Sequence, residues 1–144
     1  MRGTRRLGHV IDHRAAANTL IRLAGDGALD SLFVEHGVQV AVLFGSAARP
    51  SGAPPNDLDI AVVTDDGGAL LQLLDGLSDL LPEAVLDMVD LRTASIVLRS
   101  EALAGIPLFE RVPGAFIDAQ TKAHAERLST GWLRRLDLEL MAAR

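Results

Sequence analysis

Two spacings of apolar residues alternate along the chain, and the switches between them outline its elements. From about Ala15 to His36, Leu20, Leu23, Leu29, Leu32 and Phe33 recur at mixed steps of three and four with polar residues between, which predicts helix. Gly25-Asp26-Gly27 should interrupt or bend it, and Gly37 should end it. Val38-Gln39-Val40-Ala41-Val42-Leu43-Phe44 is rich in β-branched residues and bounded by glycines, so it reads as a buried strand that delivers Gly45-Ser46 at its C-terminal end. The stretch Arg49 to Asn56 holds Pro50, Gly52, Pro54 and Pro55 and is expected to be an exposed loop.

Asp57 to Val63, where two aspartates alternate with Leu58 and Ile60 before an apolar run, reads as a second strand that Thr64 to Gly68 ends. A helix from about Ala69 to Leu81 follows, with Leu70, Leu73, Leu74 and Leu77 as its apolar stripe and Pro82 closing it. Val85 to Val89 reads as a third strand, Thr93 to Ala104 as a helix with Thr93 as N-cap, and Pro107 to Arg111 as a short edge strand. After Pro113-Gly114 the tail is predicted to be one long amphipathic helix through Phe116, Ile117, Leu128, Trp132, Leu133 and Leu136, with a weak point at Gly131.

The chain has 144 residues, enough for a single domain with a full core, expected as a core over about 15–111 and a C-terminal helix over about 114–142. It is 49% hydrophobic, yet no apolar run approaches the ~18 residues of a membrane span. The arm from Met1 to Arg14 carries Arg2, Arg5, Arg6 and Arg14 without an apolar segment after them, so a secretory signal is not expected and the arm reads as solvated. With no cysteine, the chain has no disulfide, thiolate metal site or cysteine nucleophile; a cytoplasmic protein is the expectation. A net charge of −5 argues against broad nucleic-acid binding. Lys122 is the only lysine, so nearly all positive charge sits on arginine, whose planar fork suits phosphates and carboxylates alike.

Chemistry concentrates on three aspartates. Asp57 and Asp59 alternate with Leu58 and Ile60, so on a strand both carboxylates face one way, with Cα atoms roughly 7 Å apart, within reach of one divalent cation. An isolated Asp-x-Asp would read as surface charge. Here Asp87 stands in the next strand between Leu86 and Met88, a costly place for a carboxylate without a partner or a metal. Hard oxygen ligands of this kind suit Mg²⁺ or Mn²⁺. His9 and His13 are four apart but lack a third ligand and read as solvated, while Asp90 falls on the opposite face from Asp87 and reads as a helix cap. No phosphate loop of the Gly-x4-Gly-Lys type, no Gly-x-Gly-x-x-Gly, no His-Glu-x-x-His and no Gly-x-Ser-x-Gly occurs.

Gly45-Ser46, ten intervening residues, Asp57-Leu58-Asp59 and the later Asp87 resemble the pattern of the nucleotidyltransferase superfamily related to DNA polymerase beta. The match is most similar to its MNT branch, the minimal nucleotidyltransferases found beside HEPN toxins, and extends over about Val38 to Arg111. Asn56 stands where that family usually has serine, and Pro50 where glycine commonly follows the arginine. The resemblance implies an α/β (α+β) nucleotidyltransferase fold: a small mixed sheet with helices on one face, and a long C-terminal helix. It implies Asp57, Asp59 and Asp87 as catalytic metal ligands for Mg²⁺ or Mn²⁺. Gly45 and Ser46, at a helix N-terminus, would cradle the triphosphate of ATP. Arg49 reads equally as a phosphate contact and as a solvated loop residue. The branch is associated with AMP transfer to tyrosine hydroxyls, which implies a HEPN-type toxin as partner in a hetero-oligomer. A small-molecule nucleotidyltransferase of the aminoglycoside type and a catalytically silent antitoxin are the alternatives.

Overall fold

The structure is a computed structural model that describes residues 11–65 and 67–143. Helix α1 (His13–Gly25) starts where the Asp12 carboxylate accepts the Ala15 amide at 3.0 Å, satisfying one of the unpaired donors of a helix start. Turn residues around Gly27 separate it from the short α2 (Asp30–Glu35), so the expected interruption is present. Gly37 then takes φ +69°, a conformation that only glycine adopts without strain, and turns the chain into β1 (Val38–Phe44).

A single 3₁₀ turn over Gly45–Ala48 and an irregular loop of bends lead to β2 (Leu58–Thr64), followed by α3 (Leu70–Leu80) and β3 (Leu86–Asp90). Helix α4 (Ile96–Leu103), β4 (Ile106–Glu110) and α5 (Ala115–Ala142) complete the chain. The N-cap of α4 is Ser95, whose hydroxyl accepts the Leu98 amide at 3.1 Å, not Thr93; the chain between Asp90 and Ser95 forms a separate turn. Gly131 does not break α5.

The four strands lie in the order β3-β2-β1-β4, with β1 antiparallel to both β2 and β4 and β2 parallel to β3. This is the mixed sheet the resemblance implied, with β4 at one edge. Leu58, Ile60 and Val62 of β2 and Ala41 and Leu43 of β1 pack with Leu20, Phe33, Leu73 and Leu77, so α1 to α3 cover one face. The opposite face carries a smaller cluster of Val40, Val42 and Ala61 with Leu91, Ala102, Leu103 and Ala123. Thus α4 and the first half of α5 add a second cover beyond the helices expected on one face.

Two polar anchors hold α5 there. Arg99 of α4 donates to Leu91 O, Ala94 O and, at 2.9 Å, the Glu126 carboxylate, while Gln120 donates to Leu103 O at 2.9 Å. Beyond Glu126 no described side chain is buried.

Candidate active site

Register decides where the three aspartates meet. In the β2–β3 pair Asp59 lies opposite Asp87, and in the β1–β2 pair Phe44 lies opposite Asp59. Asp57 sits on the last loop residue before β2, one alternation from Asp59. A carboxylate oxygen from each of Asp57, Asp59 and Asp87 lies within 4.8 Å of the others, with Asp57 and Asp59 half-buried and Asp87 exposed. All three occupy the sheet face shared with α4 and α5, at the end of the sheet where β1 finishes and β2 and β3 begin. Burial, then the negative charges of Asp57 and Asp87, push the Asp59 carboxyl above its ordinary range.

Such a cluster is repulsive by itself. None of the three carboxylates makes a hydrogen bond or ion pair among the described residues. Their hard oxygens, spacing and partial exposure fit a divalent cation such as Mg²⁺ or Mn²⁺, which would be held by Asp57, Asp59 and Asp87 together.

Gly45 closes the site from the β1 side. Its φ is +73°, and a Cβ built there would collide with Oδ2 of Asp59, so glycine is required both for the turn and for the approach of the carboxylate. Gly45 and Ser46 lie on the single 3₁₀ turn over Gly45–Ala48, closed by the Arg49 amide on Ser46 O at 3.2 Å. The α-helix N-terminus expected behind them is therefore absent, and any anion contact there rests on individual amides and the Ser46 hydroxyl rather than on a helix dipole. Ser46, Arg49, Asn56 and Asp57 line a cleft of about 370 Å³ with the loop residues Ser51 to Pro54. The predicted exposed loop is exposed except at Pro55, which is buried.

Several residues outside the predicted set shape the site. Arg14 of α1 donates through Nη1 to Ala47 O at 3.2 Å and to Arg49 O, so it clamps the turn that carries Gly45 and Ser46. The expectation of a solvated arm extending to Arg14 is corrected: α1 begins at His13, and Arg14 is partly buried. His13 is likewise buried, its Nε2 accepting the Val85 amide at 2.9 Å, which ties α1 to the start of β3. His9, its expected neighbour, lies outside the described residues.

Asp90 is on the opposite side from the cluster, as alternation predicted, but it does not cap a helix. It accepts from Thr64 Oγ1 at 2.8 Å and from the Arg92 amide at 3.0 Å. No local sequence signal marks Arg14, because its partners lie 33 and 35 residues away.

Residues 28–113 match the family described as Polymerase beta, Nucleotidyltransferase. Among solved structures, a putative minimal nucleotidyltransferase is 30% identical with TM-score 0.52, covering 69% of this chain and 97% of that one. A toxin–antitoxin structure with AMP-PNP is 23% identical with TM-score 0.61, covering 79% of this chain and 95% of that one. A complex of tri-AMPylated Shewanella oneidensis HEPN toxin with MNT antitoxin is 23% identical with TM-score 0.58, covering 82% and 95%. No curated protein matches the chain. No helix among the described residues is long and apolar enough to cross a membrane.

Proposed function

Because the chain belongs to the Polymerase beta nucleotidyltransferase family, we propose that it transfers AMP from ATP onto a hydroxyl of a HEPN-type partner protein, acting as an antitoxin. The convergence of Asp57, Asp59 and Asp87 within 4.8 Å beside the Gly45 turn carries this proposal. Similarity in fold to a complex containing an AMPylated HEPN toxin indicates the class of acceptor.

In this reaction Asp57, Asp59 and Asp87 would hold Mg²⁺ or Mn²⁺, which would supply charge neutralisation for the phosphates. Backbone amides of the Gly45–Ala48 turn and the Ser46 hydroxyl orient the triphosphate, with Arg49 beside them in the same cleft. Asp87, the most exposed of the three, faces the incoming acceptor and takes its hydroxyl proton. The acceptor oxygen then forms a bond to the α-phosphorus, the bond from that phosphorus to the bridging oxygen breaks, and pyrophosphate leaves.

The acceptor must belong to another molecule if it is a tyrosine, since this chain has none. The far half of α5 offers a surface for that molecule: Leu128, Trp132 and Leu133 are 61%, 59% and 52% exposed. Incubation with labelled ATP, Mg²⁺ and a HEPN protein encoded beside this chain, followed by mass spectrometry, should place AMP on a tyrosine of that protein. Label on an aminoglycoside panel in place of the protein would overturn the choice of acceptor.

A further inference from the structure

Strand β3 brings Asp87 to the cluster, yet none of its residues is buried, whereas β1 and β2 are buried along most of their length. It also lies at an edge of the sheet, beside β2. Side-chain packing therefore holds it weakly, and its position depends on hydrogen bonds at its two ends. At the end away from the cluster, the Leu91 amide donates to Val62 O at 2.8 Å and Asp90 accepts from Thr64 Oγ1. At the end beside the cluster, the contacts run through the backbone of Val85, two residues before Asp87. Its carbonyl accepts the Leu58 amide at 2.9 Å, and its own amide donates to His13 Nε2 at 2.9 Å.

Leu58 stands between Asp57 and Asp59. One relay, from His13 through Val85 to Leu58, thus links a helix to the backbone between two of the carboxylates and to the start of the strand that carries the third. His13 is only 6% exposed, a costly place for an imidazole without a hydrogen bond. It belongs to α1, which covers the sheet face opposite the three carboxylates, so it is not a further ligand of the ion they would hold. The next residue, Arg14, grips the turn that carries Gly45 and Ser46. The first turn of α1 therefore braces the site at two points, the Gly45 turn and the start of β3.

We infer that His13 is a positioning residue for the cation site: by accepting the Val85 amide it fixes the start of β3, and with it the place of Asp87 relative to Asp57 and Asp59. The inference rests on the reading of the three aspartates as a cation site. Packing and hydrogen bonding are separable at this position. His13→Leu keeps an apolar body of similar size and removes the acceptor, while His13→Gln removes the ring and offers a side-chain oxygen at the reach of Nε2. By linkage, a bond that favours cation binding must itself be favoured when the cation binds.

Calorimetry of the full chain with Mn²⁺ alone should find the ion bound about tenfold more weakly by His13→Leu, and within about threefold of the unsubstituted chain by His13→Gln. Full affinity in His13→Leu, or no rescue by His13→Gln, would make His13 a packing residue and overturn the inference. The unsubstituted chain gives a second reading that does not depend on either variant folding. Mg²⁺ should slow hydrogen exchange at the Val85 and Leu58 amides, followed by NMR, more than at the Arg111 amide, which donates to Gln39 O near the opposite edge of the sheet. Equal slowing at all three, or none at Val85, would overturn the inference. An unsubstituted chain that binds neither ion would overturn the cation site itself and this inference with it, a result distinct from binding that is indifferent to His13→Leu.

Discussion

Asp59 is where function and stability conflict most directly. Its carboxylate is half-buried, faces two other carboxylates and presses against Gly45, and its pKa is raised by burial first and by Asp57 and Asp87 after that. A folded-state pKa above the unfolded one means the folded chain holds this proton more tightly. The resulting destabilisation is fully present above the folded pKa and is relieved as pH falls through it. Asp59→Asn should therefore raise the melting temperature of metal-free protein at neutral pH by a few degrees at most, since partial exposure screens the repulsion, while abolishing the proposed AMP transfer. A lower melting temperature would show that Asp59 has an attractive partner. Because a cation competes with that same proton, Mg²⁺ affinity should fall as pH drops through the raised Asp59 pKa, at higher pH than an ordinary aspartate would cause; titrations at several pH values read this directly. Asp90 differs in kind. Its bonds to Thr64 and Arg92 hold a turn together, so Asp90→Ala should cost roughly 1–3 kcal/mol in denaturant unfolding while folded protein keeps its transfer rate. Asp87→Asn should do the reverse.

Among the elements, the turn over Gly45–Ala48 is too short to hold its own shape. The Arg49 amide closes it on Ser46 O, and the carbonyls of Ala47 and Arg49 are fixed from outside by Arg14. Arg14→Ala should weaken Mg²⁺–nucleotide binding by about tenfold with circular dichroism unchanged, because α1 keeps its Asp12 cap and its buried face of His13, Ala17 and Leu20. Loss of helical signal instead would show that Arg14 supports α1 and not the turn. Gly45→Ala is the more severe change, since it puts a methyl where Asp59 Oδ2 sits and demands positive φ of alanine. It should eliminate metal-dependent nucleotide binding, as calorimetry would record.

Over the whole molecule, the long C-terminal helix serves two ends. Up to Glu126 it covers the sheet through Ala123, Gln120 and the Arg99–Glu126 pair. Beyond that point it carries exposed apolar residues and buries none. A chain truncated after Leu128 should thus melt within a few degrees of the full-length protein and still bind Mg²⁺–nucleotide, yet fail to form a complex with the proposed HEPN-type partner in size-exclusion chromatography. A large drop in melting temperature would mean the distal helix packs on this chain itself.

Much of this architecture was readable from local pattern. Short apolar and β-branched runs bounded by glycine, proline and loop residues marked β1, β2 and β3 to within a residue. Proline and glycine marked the ends, since they act on the backbone of their own position. The spacing of Asp57 and Asp59, with Asp87 beyond, marked a candidate cation site, because alternation sets which face each carboxylate takes and the three carboxylates do come together. Tertiary structure decided the rest. The pairing of Asp59 with Asp87, the clamp from Arg14 and the burial of His13 all join residues distant in sequence. The helix start expected at Gly45 is a 3₁₀ turn, and the N-cap expected at Thr93 moved to Ser95 because Asp90 organises a turn of its own. Periodicity reports which side of an element is apolar; which other element meets it depends on how the whole chain closes around its core.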